Sequence, residues 1–378
     1  MVNNIVTITP NYPNPKFPEQ GTFVESLVRE WANLGVIVDV VAPIKMPLYI
    51  KAFFKKPKKM NVAHSHIVRP HYFSFSNKRM VGIDCSSLSN THFVKAAIRG
   101  SNRVRLPSLY YGKFLLKGGK AAALMGEKNK KPSFADLGES TLLQTCSMKE
   151  IEEARKIISK LTGIICVSER LQEEAIELGA SPDKILHAPN CVDRKRFKLI
   201  DKQYCRKVLG LPLKDFIVSF TGSFIERKGP LRVLKAIETL DPRIKLIFIG
   251  KGKQVPRGDR VLHAGSVPNE DVPLWLNASD VFVLPTLAEG HCNAINEALA
   301  CGIPVVSSDI PDVRWQIPKE CGFLVDPKSI PSISNSINTL FSDASKLSSV
   351  TTACNAFSKK QQSNVRGKII LDWLNTLL

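Results

Sequence analysis

Runs of β-branched residues alternate with amphipathic stretches along this chain, and the alternation is completed twice. In the first half, strand-like segments at 4–9, 37–43, 106–111, 132–137, 163–168 and 185–189 are separated by helical spacing near 21–34, 91–100, 118–128, 148–160 and 169–178. Alternation of this kind implies a parallel sheet covered by helices on both faces. The pattern restarts with strands at 216–221, 245–249, 261–264, 281–285, 304–308 and 322–325 and helices near 229–240, 270–278, 293–301 and 331–342. Between the two, Arg194–Lys214 is charged and carries a short helical segment but no strand signal, so it reads as the connection. A length of 378 residues exceeds one ordinary core and suits two domains of nearly equal size. The expectation is an α/β protein of two doubly wound, Rossmann-like domains facing a cleft, residues 1–195 and 196–356, followed by an apolar-faced helix at about 357–378.

Ligands of open α/β sheets bind beyond the carboxyl ends of the strands. One such segment stands out. Glu289-Gly290-His291-Cys292-Asn293-Ala294-Ile295-Asn296-Glu297 passes from a loop into a helix, and Ala298–Val306 continues into a buried strand. Two carboxylates therefore flank one helix N-terminus. Unpaired N–H groups and partial positive charge at a helix start attract phosphate, while carboxylates just before it and one turn inside accept hydrogen bonds from hydroxyls. Such a site suits a sugar nucleotide. Either Glu alone would ordinarily be an exposed surface residue; the surrounding segment argues otherwise.

That segment resembles the retaining GT-B glycosyltransferases of family 4, whose hallmark is a Glu, seven residues, then Glu. Of the family's Glu-Gly-Phe-Pro-Asn-x-x-x-Glu-Ala-Met-Ala-x-Gly-x-Pro-Val-Val, this chain keeps Glu289, Gly290, Asn293, Glu297, Ala298, Ala300, Gly302, Pro304, Val305 and Val306. The resemblance implies that Glu297 binds the nucleotide ribose and that Glu289 contacts the donor sugar. It places the N–H groups of Gly290, His291, Cys292, Asn293 and Ala294 near the diphosphate. It also implies an acceptor-binding first domain, a donor-binding second domain, and a terminal helix that crosses back onto the first.

On the donor side, Phe216–Thr221 runs through Gly222 into Ser223-Phe224-Ile225-Glu226-Arg227-Lys228-Gly229, and Pro230 is a favoured first helical residue. A cation at that helix start can neutralise a leaving diphosphate. The family's Gly-Arg-x-x-x-x-Lys-Gly puts its Lys at Lys228 and its Arg at Ser223. Ser supplies neither charge nor bidentate bonding, which leaves Arg227 or another cation to compensate. Gly250-Lys251-Gly252 is a glycine turn that would let backbone approach a nucleotide, and the helix containing Trp275 lies where the family places the base.

On the acceptor side, Gln20-Gly21-Thr22 ends a proline-rich loop and opens the first helix, where the family keeps a glycine loop. Gly21 permits close backbone approach, and the helix start at Thr22 can hold an anion or hydroxyl. Where many relatives carry His-Gly, this chain has Leu137-Gly138. Leu cannot hydrogen-bond a hydroxyl, so Asp136, Glu139 or a backbone group is left as the acceptor, with Glu139 the candidate base. Ser168 and Asn190-Cys191-Val192-Asp193 match further landmarks and read as structural, a helix cap and a turn.

The formal net charge of +19 is unevenly placed, with eighteen Lys or Arg against only Asp84 and Glu127 between Lys51 and Lys131. Lys51–Lys59 interleaves bulky apolar residues with cations, a composition suited to an anionic membrane surface. Nucleic acid would attract the same charges, but no RNA- or DNA-binding motif is present. Nine cysteines without a Cys-x-x-Cys pair favour the reduced state of the cytoplasm. No apolar run is long enough to span a bilayer, and the N-terminus has no signal-peptide pattern. Asp-x-Asp and ligand-spaced clusters are absent, so no metal or other cofactor is expected. Gly-x-Gly-x-x-Gly after the first strand and a Walker loop are also missing, against a nicotinamide dehydrogenase or a P-loop NTPase.

The expected function is retaining, metal-independent transfer of a hexosyl group from a nucleoside-diphosphate sugar to a glycan hydroxyl. The acceptor would be lipid-linked, in capsule, O-antigen or exopolysaccharide assembly, with the protein peripheral on the cytoplasmic face of the membrane. A sugar-nucleotide epimerase or phosphorylase of the same architecture is the alternative, since fold does not fix chemistry. A basic membrane- or polyanion-binding protein is the second.

Overall fold

The computed structural model describes residues 1–14, 17, 20–46, 65–74, 85–140, 142–143, 146–360 and 365–378. The basic run Lys51–Lys59 lies outside the described residues. The chain forms two compact units, Met1–Asn190 with Val365–Leu378 and Cys191–Asn364. The first division falls at Asn190 and Cys191 rather than at 195 and 196, and the second at Asn364 and Val365 rather than near 357.

The first unit contains β1 (Asn4–Ile8), β2 (Ile37–Val41), β3 (Ile44–Lys45), β4 (Ser65–Val68), β5 (His71–Tyr72), β6 (Leu109–Lys113), β7 (Ser133–Leu137), β8 (Gly163–Cys166) and β9 (Ile185–His187). Its helices are α1 (Thr22–Asn33), α2 (Cys85–Ser101), α3 (Lys120–Asn129), α4 (Met148–Ile158) and α5 (Glu169–Glu177). Seven strands make one parallel sheet in the order β4-β2-β1-β6-β7-β8-β9, and β3 pairs with β5 beside it. Every residue of β6 and β7 is buried, as expected of central strands covered on both faces. A capping box starts α4, with Ser147 and Glu150 bonding each other's backbone N–H, and Ser168 caps α5.

The second unit contains β10 (Phe216–Thr221), β11 (Ile244–Ile249), β12 (Val261–Gly265), β13 (Val281–Leu284), β14 (Val305–Ser308) and β15 (Gly322–Val325). Around them lie α6 (Lys202–Leu209), α7 (Pro230–Ala236), α8 (Val272–Asn277), α9 (Asn293–Ala300), α10 (Pro311–Arg314), α11 (Ile330–Ser342) and α12 (Ala344–Lys360). The strand order β12-β11-β10-β13-β14-β15 reverses direction between β10 and β13, which makes that junction the topological switch point.

Several elements differ from the sequence reading, which has no β3, β5 or α10. β4 was not expected, being four residues at a sheet edge. The segment expected as one helix from 118 begins as a π-helical turn at Phe114–Gly119 before α3. The expected terminal helix at 357–378 is two helices: residues 357–360 end α12, and α13 (Arg366–Thr376) belongs to the first unit. The Ser- and Thr-rich α12 has weak intrinsic helix propensity and is held by tertiary packing of Val350, Cys354 and Ser358, the last bonding the Ala300 carbonyl.

Helix α13 is anchored by a buried ionic network. Arg366 donates through both terminal nitrogens to Asp136, at 3.0 Å each, and through Nε to the Ala188 carbonyl. Lys113 Nζ and the Tyr111 hydroxyl also donate to Asp136 Oδ2. The Trp31 indole bonds the Gly367 carbonyl at 2.9 Å. Burial pushes the Asp136 carboxyl up, but Arg366 and then Lys113 outweigh it and hold the group at about 2. Replacing Asp136 by Ala leaves Lys113 and Arg366 buried without their counter-charge, and a loss of about 3–5 kcal/mol is expected in urea unfolding. Because the Asp136 pKa is lower in the fold than in the unfolded chain, the wild type should lose this contribution as pH falls from about 4 toward 2. A variant as stable as wild type at neutral pH would contradict the network's role.

Candidate donor site

The loops leaving β10 and β13 meet beyond the carboxyl ends of those two strands. Glu289, 6% exposed, sits in the second loop, and its Oε1 accepts from Lys228 Nζ at 2.5 Å, Thr286 Oγ1 at 2.6 Å and Arg227 Nη1 at 3.4 Å. Arg227 Nη1 also donates to the Ala288 carbonyl, and the Leu287 N–H to the Arg227 carbonyl at 2.8 Å. A carboxylate so far from water needs such partners. Arg227 and Lys228 thus converge on one oxygen, although they are consecutive in sequence.

Helix α9 begins immediately after this loop. Of the expected row of amides, the Cys292 N–H is already bonded to Gln316 Oε1 at 3.1 Å, so it belongs to the loop's own bracing. Gln316 Nε2 lies 3.1 Å from His291 Nδ1, and the Trp315 ring meets His291 edge-on at 5.0 Å. Gly290 and His291 are buried, whereas Asn293 and Ala294 are half-buried. Burial, reinforced by Glu289, pushes the Cys292 thiol up to about 12, which disfavours its reactive thiolate near neutral pH.

Glu297, one turn into α9, differs from Glu289. It is half-buried, and no hydrogen bond or ion pair holds it among the described residues. Burial pushes its carboxyl up to about 7, opposed by the Arg196 guanidinium. Arg196 lies over the Phe197 ring, and its buried Nε has no partner.

The glycines have a different explanation from the one expected. A Cβ on Gly250 would fall 1.9 Å from the Gly222 carbonyl oxygen, and one on Gly252 2.3 Å from that of Phe224. Gly222 and Phe224 donate N–H bonds to the Ile249 and Lys251 carbonyls. Gly250 and Gly252 are therefore required by packing of the β11 loop on the β10 loop.

In the first unit, Gly21 adopts φ 75 before α1, and a Cβ there would lie 2.3 Å from the Asn11 carbonyl oxygen. Its close approach is to its own proline-rich loop; Thr22, the first residue of α1, is half-buried. Glu139 accepts from the Leu115 N–H at 2.6 Å and the Gly138 N–H at 2.8 Å, so both oxygens bind backbone. That arrangement braces the π-helical turn and leaves Glu139 a poor candidate for the base. Asp136 is consumed by the α13 network. A side chain at Gly138 would make only ordinary contact with Phe114, at 3.8 Å.

Thr286, Gln316 and Arg196 escaped the sequence reading. Thr286 stands three residues before Glu289, a spacing that hints at a local side-chain contact; Gln316 and Arg196 carry no local signal.

Comparison with known proteins bears on the family and the fold. Residues 201–359 match the family model described as glycosyl transferases group 1. TuaC of Bacillus subtilis (strain 168), assigned as a teichuronic acid biosynthesis glycosyltransferase, is 28% identical over 88% of either chain. A galactosyltransferase of Escherichia coli, named for UDP-Gal and α-D-GlcNAc-diphosphoundecaprenol, is 32% identical over 47% of this chain and 50% of its own. Among solved structures, Anabaena HepE in complex with UDP and glucose superposes with a TM-score of 0.75 over 99% of this chain and 100% of that one, at 17% identity.

The unpartnered Glu297 predicts a stability cost. Its folded pKa lies above the unfolded one of 4.5, so the wild type loses stability as pH rises from about 4.5 to about 7, above which the loss is complete. Glu297→Gln cannot ionise and should be more stable than wild type at pH 8, on the order of 2 kcal/mol, with the difference vanishing near pH 4. Unfolding curves at the two pH values measure this; equal stability at pH 8 would show that the carboxylate is satisfied.

Proposed function

We propose that this chain is a group 1 glycosyltransferase of GT-B fold and that it carries out retaining transfer of a sugar from a nucleoside-diphosphate donor to a lipid-linked glycan acceptor. The observation that carries the donor assignment is the pairing of Lys228 with Glu289 at the β10–β13 switch point, beside the unpartnered Glu297. Ribose hydroxyls would supply the donors that Glu297 lacks. The donor diphosphate would compete for Lys228, whose charge then offsets the negative charge developing on the leaving group. Glu289, still held by Thr286 and Arg227, would accept from hydroxyls of the donor sugar. Positive charge on the diphosphate is thereby assigned to Lys228 and Arg227 rather than to a metal ion. Retention follows if the departing diphosphate oxygen itself takes the acceptor proton, so that the new bond forms on the face being vacated.

Support for the donor class comes from HepE, solved with UDP and glucose. Support for a lipid-linked acceptor in surface polysaccharide assembly comes from the names of TuaC and the diphosphoundecaprenol galactosyltransferase. In calorimetric titration against a panel of nucleoside diphosphates, Glu297→Ala should weaken the best ligand at least 100-fold and Lys228→Ala roughly tenfold or more. Glu289→Ala should mainly lower turnover. Wild-type affinity should fall below pH 7 as Glu297 takes up its proton. Unaltered affinity in both binding variants would refute the site, and conversion of the donor without an acceptor would favour epimerisation.

The cationic surface of the first unit supports docking on the cytoplasmic face of an anionic membrane. Lys95, Arg99, Arg103, Lys128 and Lys130 are exposed, and Leu106 is exposed among them; no helix among the described residues is long and apolar enough to cross a bilayer. Replacing these five cations by Gln should weaken binding to phosphatidylserine vesicles by about 1 kcal/mol per charge at low salt while nucleotide affinity is kept. Unchanged vesicle binding would refute this surface.

A further inference from the structure

The carboxyl edge of the first sheet collects cations that no carboxylate bonds among the described residues. Arg69 follows β4, Lys45 ends β3 just beyond β2, and Lys117 lies in the π-helical turn after β6. β4, β2, β1 and β6 are consecutive neighbours, so these side chains leave one edge of one sheet. Pairing of β3 with β5 sets Lys45 opposite Tyr72, three residues beyond Arg69. Lys45 and Lys117 are close enough for their charges to repel. Among the described residues, no carboxylate bonds any of the three, although Lys113, Lys120 and Arg29 in the same unit each have one. Glu139 attracts Lys117 but takes its hydrogen bonds from the Leu115 and Gly138 amides instead.

Two further observations fall on the same edge. Tyr12, in the loop after β1, is 3% exposed, and its hydroxyl has no hydrogen-bond partner among the described residues. Arg69 stands over the Tyr12 ring at 5.7 Å and uses Nη2 on the Pro13 carbonyl. In addition, Phe114, which opens the π-helical turn, has φ 65, a conformation that a bulky side chain adopts only under strain. An orphaned buried hydroxyl and the half-buried cations Arg69 and Lys117 without bonded anions each cost stability, while Lys45 is exposed and open to a ligand. A ligand bringing several acceptor oxygens and negative charge would satisfy all of them, and the β1–β6 junction is the switch point of this sheet.

We propose that Lys45, Arg69, Lys117 and the Tyr12 hydroxyl form a subsite for an anionic group, a phosphate or a carboxylate, carried by the acceptor. The inference rests on the glycosyl-transfer reading for the word acceptor, whereas the subsite itself rests on the first unit alone.

Inorganic pyrophosphate and glucuronate, titrated into full-length Lys228→Ala protein, probe the subsite with the second unit's diphosphate site weakened, and only binding that the first-unit replacements reduce is assigned to the subsite. Binding of pyrophosphate identifies a phosphorylated acceptor and binding of glucuronate a uronic one. Adding Lys45→Ala and Lys117→Ala should weaken the bound probe at least tenfold. Tyr12→Phe keeps the ring and should weaken it several-fold without lowering the melting temperature, a check that does not depend on the lysine variants folding. Failure of both probes to bind, or binding indifferent to these replacements, overturns the proposal. A chain that takes no nucleoside diphosphate yet binds a probe through these residues keeps the subsite and loses the donor reading, so the two failures are separable.

Discussion

Burial of the Glu289 carboxylate organises the second unit's site. A charge withdrawn from water must find partners, and Glu289 finds an ammonium, a hydroxyl and a guanidinium on one oxygen. Two of those donors come from the loop after β10 and the third from its own loop after β13. The interaction therefore locks together two segments that are 61 residues apart and fixes where the charge of Lys228 can stand. The strand order makes the meeting possible, because β10 and β13 are sheet neighbours whose connections lead away on opposite sides.

Glu297 shows the opposite condition, and the contrast is informative. Eight residues along the chain and one turn into α9, it is withdrawn from water without a bonded partner, and its pKa rises accordingly. A group held in that state lowers the stability of the free protein and strengthens the binding of whatever completes it. The cationic edge of the first sheet follows the same logic with the sign reversed. Where each unit leaves a charge unanswered, a ligand of complementary chemistry is implied.

Much of this was readable from residues alone, for identifiable reasons. Strand and helix alternation is a local property, so both sheets were visible, and Glu289, Glu297 and Lys228 sit in short motifs whose spacing survives without tertiary information. What escaped depends on distant segments. Gln316 reaches the Cys292 amide from a turn after α10, and Arg366 reaches Asp136 across 230 residues. α12 was read only at its end because its Ser and Thr content hides a helix that packing enforces. From sequence Glu139 reads as a carboxylate available for base chemistry; its amide partners on Leu115 and Gly138 are visible only once the π-helical turn is built. Gly250 and Gly252 read from sequence as a turn that lets backbone approach a nucleotide; that their Cβ positions are filled by the loop from β10 carries no sequence signal.

The central claim is that Lys228 exchanges Glu289 for the donor's diphosphate at the β10–β13 junction. A structure of the chain bound to the nucleoside diphosphate for which it has the highest affinity tests this directly. The account predicts that Lys228 Nζ bonds a phosphate oxygen and that the ribose hydroxyls donate to Glu297, with Glu289 retaining Thr286. A nucleotide bound elsewhere, with the Lys228–Glu289 pair intact and Glu297 still without a partner, would contradict it.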